Sequence, residues 1–122
     1  MKVSAINFKG IYIETKKDNL PHKTVVGELK GARPFLKQLA RVLPGDLHVK
    51  TYNGNDGDTH LDVDYYIPGK EKSYSIVKTN EHSLKGNGFW LLSDVFCGLE
   101  KFDEKLFEDT AKNFVKNFDR IR

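Results

Sequence analysis

One α+β domain is the fold class this sequence predicts: a mostly antiparallel sheet of four to five strands, with a short central helix and a longer C-terminal helix packed against it. Three observations carry that prediction. Residues 47–67 alternate apolar and polar at the two-residue period of half-buried strands. Residues 35–43 and 107–118 repeat apolar side chains at three- and four-residue spacing, the period of a helix with one buried face. Pro-Gly pairs and a Gly/Asn/Asp cluster punctuate the segments between them.

Length and composition set the frame. A chain of 122 residues fits a single domain, residues 1–122, large enough to bury a core without disulfides. Apolar residues at 39% and charged residues at 30% place it with globular proteins rather than disordered ones. The longest clean apolar runs are a few residues, such as Phe89-Trp90-Leu91-Leu92, so the sequence predicts no membrane span. One cysteine, Cys97, rules out an internal disulfide and a cysteine-based zinc site, and points to a reducing, cytoplasmic location.

The elements follow in order. Val3 to Phe8 and Ile11 to Ile13 read as one long strand bent at Lys9-Gly10. Thr24-Val25-Val26 is β-branched and reads as a returning strand, paired with residues 11–14. The central helix then starts at Pro34, whose missing N–H suits a first helical position, and ends at Pro44-Gly45. Its apolar face is Phe35, Leu36, Leu39, Val42 and Leu43.

A hairpin comes next. Leu47 and Val49 alternate with His48, Lys50 and Tyr52; Leu61, Val63, Tyr65 and Ile67 alternate with His60, Asp62 and Asp64. The turn Asn53-Gly54-Asn55-Asp56-Gly57 tolerates positive φ and, pairing even positions with even, sets Lys50 against His60 or Asp62 and His48 against Asp62 or Asp64. After Pro68-Gly69, Tyr74 to Val77 supplies a third strand of the meander. Phe89 to Phe96 fits either a buried strand or a short helix, for which Gly98 is the expected cap. Asp103 is the expected N-cap of the last helix, with Phe102 stapled onto Phe107.

Charge is unevenly spread. The net +3 divides into +6 over residues 1–50, −3 over residues 51–70 and balance beyond. The cations Arg33, Lys37 and Arg41 fall on one side of the central helix, with Lys30 close to its expected start. A helix start exposes unbonded N–H groups, and cations around it suit an anion. Together Lys30, Arg33, Lys37 and Arg41 are the candidate nucleic-acid-binding residues.

Other groupings point elsewhere. Asp58, His60, Asp62 and Asp64 project from one face of a strand, as carboxylates that hold Mg²⁺ do, so His60, Asp62 and Asp64 are the candidate metal ligands of a nuclease reading. Their cross-strand partners His48 and Lys50 offer a structural explanation of the same pattern. The loop at residues 52–63 fails the calcium-loop pattern, because Tyr52, Gly54 and Val63 stand where ligands are needed. Tyr12, Tyr52, Tyr66 and Tyr74, with Lys9, Lys50, Lys72 and Lys78 nearby, could stack single-stranded bases on an open sheet. Cys97, between Phe96 and Gly98, reads as a small buried residue.

The run Phe35-Leu36-Lys37-Gln38-Leu39 through Leu43-Pro44-Gly45-Asp46-Leu47-His48-Val49 resembles the helix-then-strand step of bacterial single-stranded-DNA-binding OB-folds. The order helix, three strands, helix resembles a double-stranded-RNA-binding domain. Each match departs from its pattern: too few residues precede the helix for three barrel strands, and the last helix opens acidic. Neither resemblance assigns a family. The functional expectation is a non-enzymatic binding protein for nucleic acid, needing no cofactor. The alternatives are a protein-binding accessory factor or inhibitor of phage or mobile-element type, acting on a host protein, and a metal-dependent nuclease.

Overall fold

The computed structural model describes residues 3–8, 11–16 and 21–118. In chain order these form β1 (Val3–Phe8), β2 (Ile11–Lys16), α1 (Lys23–Val42), β3 (Asp46–Asn53), β4 (Thr59–Tyr66), β5 (Ser73–Asn80), α2 (Phe89–Phe102) and α3 (Glu104–Phe118). The five strands make one sheet in sequential order. Every pairing is antiparallel except β2 with β3, which run parallel because α1 crosses between them. The fold is α+β, with a mostly antiparallel sheet and a helix at the C-terminal end, as the patterning predicts.

The helices cover one face of the sheet. Ile11, Ile13, Leu47, Val49, Leu61, Val63, Tyr65 and Val77 point into that layer and are almost fully buried against Val25, Leu36, Leu39, Leu91, Val95 and Leu99. Their neighbours in sequence point the other way: Tyr12, His48, Lys50, Tyr52, His60 and Asp64 remain half-exposed on the open face. A sheet covered on one side only is why residues 47–66 alternate so regularly.

Several boundaries differ from the sequence reading, each for a physical reason. The N-terminal strand is two: Phe8 pairs with Ile11, so the chain doubles back between them and β1 lies against β2. Lys9 and Gly10, where the bend was expected, lie outside the described residues. Thr24-Val25-Val26 is the first turn of α1 rather than a strand; Val25 is fully buried and its packing overrides β propensity. The central helix therefore spans 20 residues, against 15 in α3. Pro34 sits inside α1 on its exposed side, where it removes one helical N–H donor.

At the other end, residues 89–96 are helical, and Gly98 lies within α2 instead of capping it. A Cβ at Gly98 would collide with the Ile76 carbonyl, so the glycine admits β5 against the helix. Ile76 is the residue left over at the bulge between the Val63–Val77 and Asp64–Ser75 pairs. Cys97 is exposed, because the buried stripe of α2 runs through Leu91, Val95, Gly98 and Leu99 on the other side. Asp103 is the N-cap of α3 as expected, its carboxylate accepting from Leu106 N at 3.1 Å. Phe102 packs on Tyr65 and Tyr74, with ring centroids 5.6 and 4.9 Å away. No described helix is long and apolar enough to cross a membrane.

Candidate nucleic-acid interface

A helix turns about 100° per residue, so Lys30, Arg33, Lys37 and Arg41 fall within a wedge of about 80° on α1 and span about 16 Å along its axis. Lys30 and Arg41 are exposed; Arg33 and Lys37 are half-buried. Arg41 donates from Nη1 to Gln38 Oε1 at 3.4 Å. The four sit on a flank of the helix, since the core face runs through Val25, Leu29, Ala32, Leu36 and Leu39.

The only acid in α1 is Glu28, and it is wholly buried. Its carboxylate accepts from Lys85 N and Gly86 N through Oε1, at 3.0 and 2.9 Å, and from Leu91 N through Oε2 at 3.0 Å. The outer surface of α1 thus carries cations and no carboxylate of its own. Beside Lys30 and Arg33 lies a shallow hollow of about 140 Å³ lined by Pro21, Val25, Val26, Leu29 and Thr51. Arg33 reaches into it with a buried Nε that has no hydrogen-bond partner among the described residues.

One expectation is corrected here. Residues 30–34 are not a helix start, so they offer no row of open backbone N–H groups to an anion. The start is at His22, whose Nδ1 accepts from Thr24 N at 3.1 Å and whose carbonyl accepts from Val25 N and Val26 N. Arg33 is a mid-helix side chain, and it does not oppose the helix dipole as a cap-position cation would.

The acids of β4 take structural places. Asp62 is buried on the open face, with Lys50 opposite on β3 and Lys78 opposite on β5. Asp64 faces His48 across β3, and His60 faces Tyr52. The rings of Tyr52 and His60 stack 5.2 Å apart with 12° between planes. The Tyr52 phenol is pushed above its ordinary pKa by burial first, then by the charge and hydrogen bond of Asp62. His60 Nε2 lies 3.1 Å from Asp56, whose carboxyl is lowered by the hydrogen bond from the Asp58 backbone and by His60. His60, Asp62 and Asp64 are therefore spoken for by the sheet, and they do not converge as a ligand set.

Asp58 leaves this row. It points to the end of β5, where Asp58 Oδ1 lies 3.0 Å from His82 Nε2. Glu81 joins them, and one donor atom from each of the three lies within 4.8 Å of the others, a spacing that no other trio of such residues matches among the described residues. The imidazole of His82 is raised above its ordinary pKa, mainly by the Asp58 hydrogen bond and charge. Sequence reading set Asp58 beside His60 and missed Glu81 as its neighbour. The signal was the hairpin register: His60 pairs with Asn80, so the next outward positions, 58 and 82, meet.

The expected tyrosine platform is only partly assembled. Tyr12, His48 and Tyr66 form a row, with ring centroids 4.7 and 5.9 Å apart, beside a groove of about 530 Å³ bordered by Pro44, Asp46 and the turn at Pro68-Gly69. Tyr74 is not in that row; it packs on Phe102. Tyr65, on the helix side, accepts from Gly45 N at 2.9 Å and ties the end of α1 to β4.

Comparison with known proteins finds no matching family model, no matching curated protein and no matching solved structure.

Proposed function

We propose that this chain is a small non-enzymatic protein that binds nucleic acid along the basic flank of α1, with Lys30, Arg33, Lys37 and Arg41 contacting phosphates. One observation carries the reading: the helix turns its sole acid, Glu28, into the core, so every charged side chain it presents outside is a cation. Four cations spread over about 16 Å can reach several phosphates of a nucleic-acid backbone. The contacts are to phosphate, so binding is tolerant of sequence and weakens steeply with salt. A cytoplasmic location goes with this reading. Fluorescence anisotropy with labelled single- and double-stranded oligonucleotides at low salt tests it; no binding to either would end the idea.

A second reading is favoured by Phe89 and Trp90. Both are exposed on the first turn of α2, at 67% and 43%, and they meet edge to face. Exposed aromatic pairs of this kind serve as anchors in protein interfaces. On this reading the chain is an accessory factor or inhibitor, of phage or mobile-element type, acting on a host protein. A nuclease-insensitive complex from host lysate, lost in the Phe89→Ala, Trp90→Ala double variant, would favour it over the first.

A further inference from the structure

We propose that Asp58, Glu81 and His82 form a binding site for a divalent transition-metal ion, with one imidazole nitrogen and two carboxylates as protein ligands and water completing the shell. The site is independent of the basic flank of α1. It joins the end of the β3–β4 loop to the turn after β5, and all three donors already face one another.

The surroundings fix the donors. The Asp58 amide is held by Asp56 Oδ1 at 3.0 Å, and its carbonyl accepts from Gly54 N at 2.9 Å. Glu81 N continues the strand ladder to Thr59 O, while Glu81 Oε1 accepts from Thr59 N at 2.7 Å. The His82 amide is held by Asn80 Oδ1 at 2.9 Å. The donor atoms lie within 4.8 Å of one another on backbone that is held at each residue, and such preorganisation is what a metal site requires.

His22 stands next to this set but outside it. Its Nε2 lies 3.4 Å from Glu81 Oε2. Nδ1 accepts the helix-capping bond from Thr24 N, which leaves the Nε2 edge of the ring on the side of Glu81. The hydrogen bond that orients the Glu81 carboxylate comes from Thr59 N, and His22 is a neighbour of the set. The donor chemistry selects the ion. Imidazole with carboxylate suits Zn²⁺ and its first-row neighbours, whereas Mg²⁺ and Ca²⁺ prefer oxygen alone.

Isothermal titration of the full chain with Zn²⁺ tests the site, with Mg²⁺ as competitor. The expected result is one Zn²⁺ per chain, not displaced by equimolar Mg²⁺, with affinity reduced by at least about tenfold in His82→Ala and in Asp58→Asn. Asp64→Asn, on the open face of β4 opposite His48 and away from these donors, should bind as the parent does. His82 is an exposed side chain, so its removal leaves the fold intact, and circular dichroism verifies this for each variant. Zn²⁺ affinity unchanged in His82→Ala, affinity lost equally in Asp64→Asn, displacement by Mg²⁺, or no binding tighter than about 1 mM would each overturn the proposal.

Discussion

The Glu28 carboxylate accepts a hydrogen bond from the Leu91 amide, 63 positions away, at 3.0 Å. Leu91 is in the first turn of α2, and the residue before that helix, Gly88, has no side chain with which to cap it. A buried side chain of α1 therefore does what a local Ser or Asp does elsewhere: it satisfies one of the open N–H groups at the helix start and places negative charge at the positive end of the dipole. The same carboxylate binds the Lys85 and Gly86 amides, so it also fixes the loop before α2.

Removing that carboxylate leaves three buried or half-buried donors without an acceptor. Glu28→Ala should lower unfolding free energy by about 3–5 kcal/mol, and Glu28→Gln by less, since the amide keeps one oxygen. Urea denaturation followed by circular dichroism measures both. Equal stability of Glu28→Ala and the parent would mean that the cap contributes nothing.

The loop that Glu28 holds also lies hard against α1. A Cβ at Gly31 would collide with the Asn87 carbonyl, and Gly88 adopts φ +90° where it passes the Gly31 backbone. Gly31→Ala usually favours a helix, by about 1 kcal/mol. Here it should instead destabilise by roughly 1–3 kcal/mol, because the loop must move away. Thermal unfolding of the single variant decides the sign.

Asp94 on α2 is half-exposed, and burial followed by the Glu28 charge raises its carboxyl above the ordinary value. A carboxyl raised in the folded state binds its proton more tightly folded than unfolded. Its ionisation therefore costs stability: the cost is complete above the folded pKa and vanishes as pH falls to the unfolded value near 3.9. Asp94→Asn should raise Tm at pH 7 by roughly 1–3 °C, a small gain because the group is partly solvated. The gain should shrink as pH approaches 4. A gain independent of pH would show that charge is not its origin.

Asp62 distinguishes sheet architecture from catalysis. It lies between Lys50 and Lys78, so Asp62→Asn should destabilise by about 0.5–2 kcal/mol in urea denaturation. Plasmid incubated with Mg²⁺ or Mn²⁺ should stay intact with parent and variant alike. Cutting that Asp62→Asn abolishes without loss of stability would restore the nuclease reading.

The contrast between what was and was not legible follows from distance along the chain. The β3–β4 register could be read because alternation and turn are local: Lys50 does face Asp62, and His48 faces Asp64. Asp103 announced α3 for the same reason. The start of α1 was hidden, because Val25 and Val26 favour strands, while Gly27, Gly31 and Pro34 read as breakers. What makes those residues helical lies far away: the sheet that buries Val25, and the loop at residues 85–88 that needs Gly31 and receives Glu28. Among the candidate site residues, Lys30, Arg33, Lys37 and Arg41 were visible as spacing on one helix, whereas Glu81 meets Asp58 only across two strands.

The basic flank of α1 is the central functional claim, and the salt dependence of oligonucleotide binding tests it most directly. Affinity for a duplex should fall with salt along a log–log slope of about −0.9 for each phosphate neutralised. Converting Lys30, Arg33, Lys37 and Arg41 together to alanine should weaken binding and make that slope shallower by roughly 3–4, with circular dichroism unchanged. A parent protein that binds with a slope the fourfold variant reproduces would contradict the account.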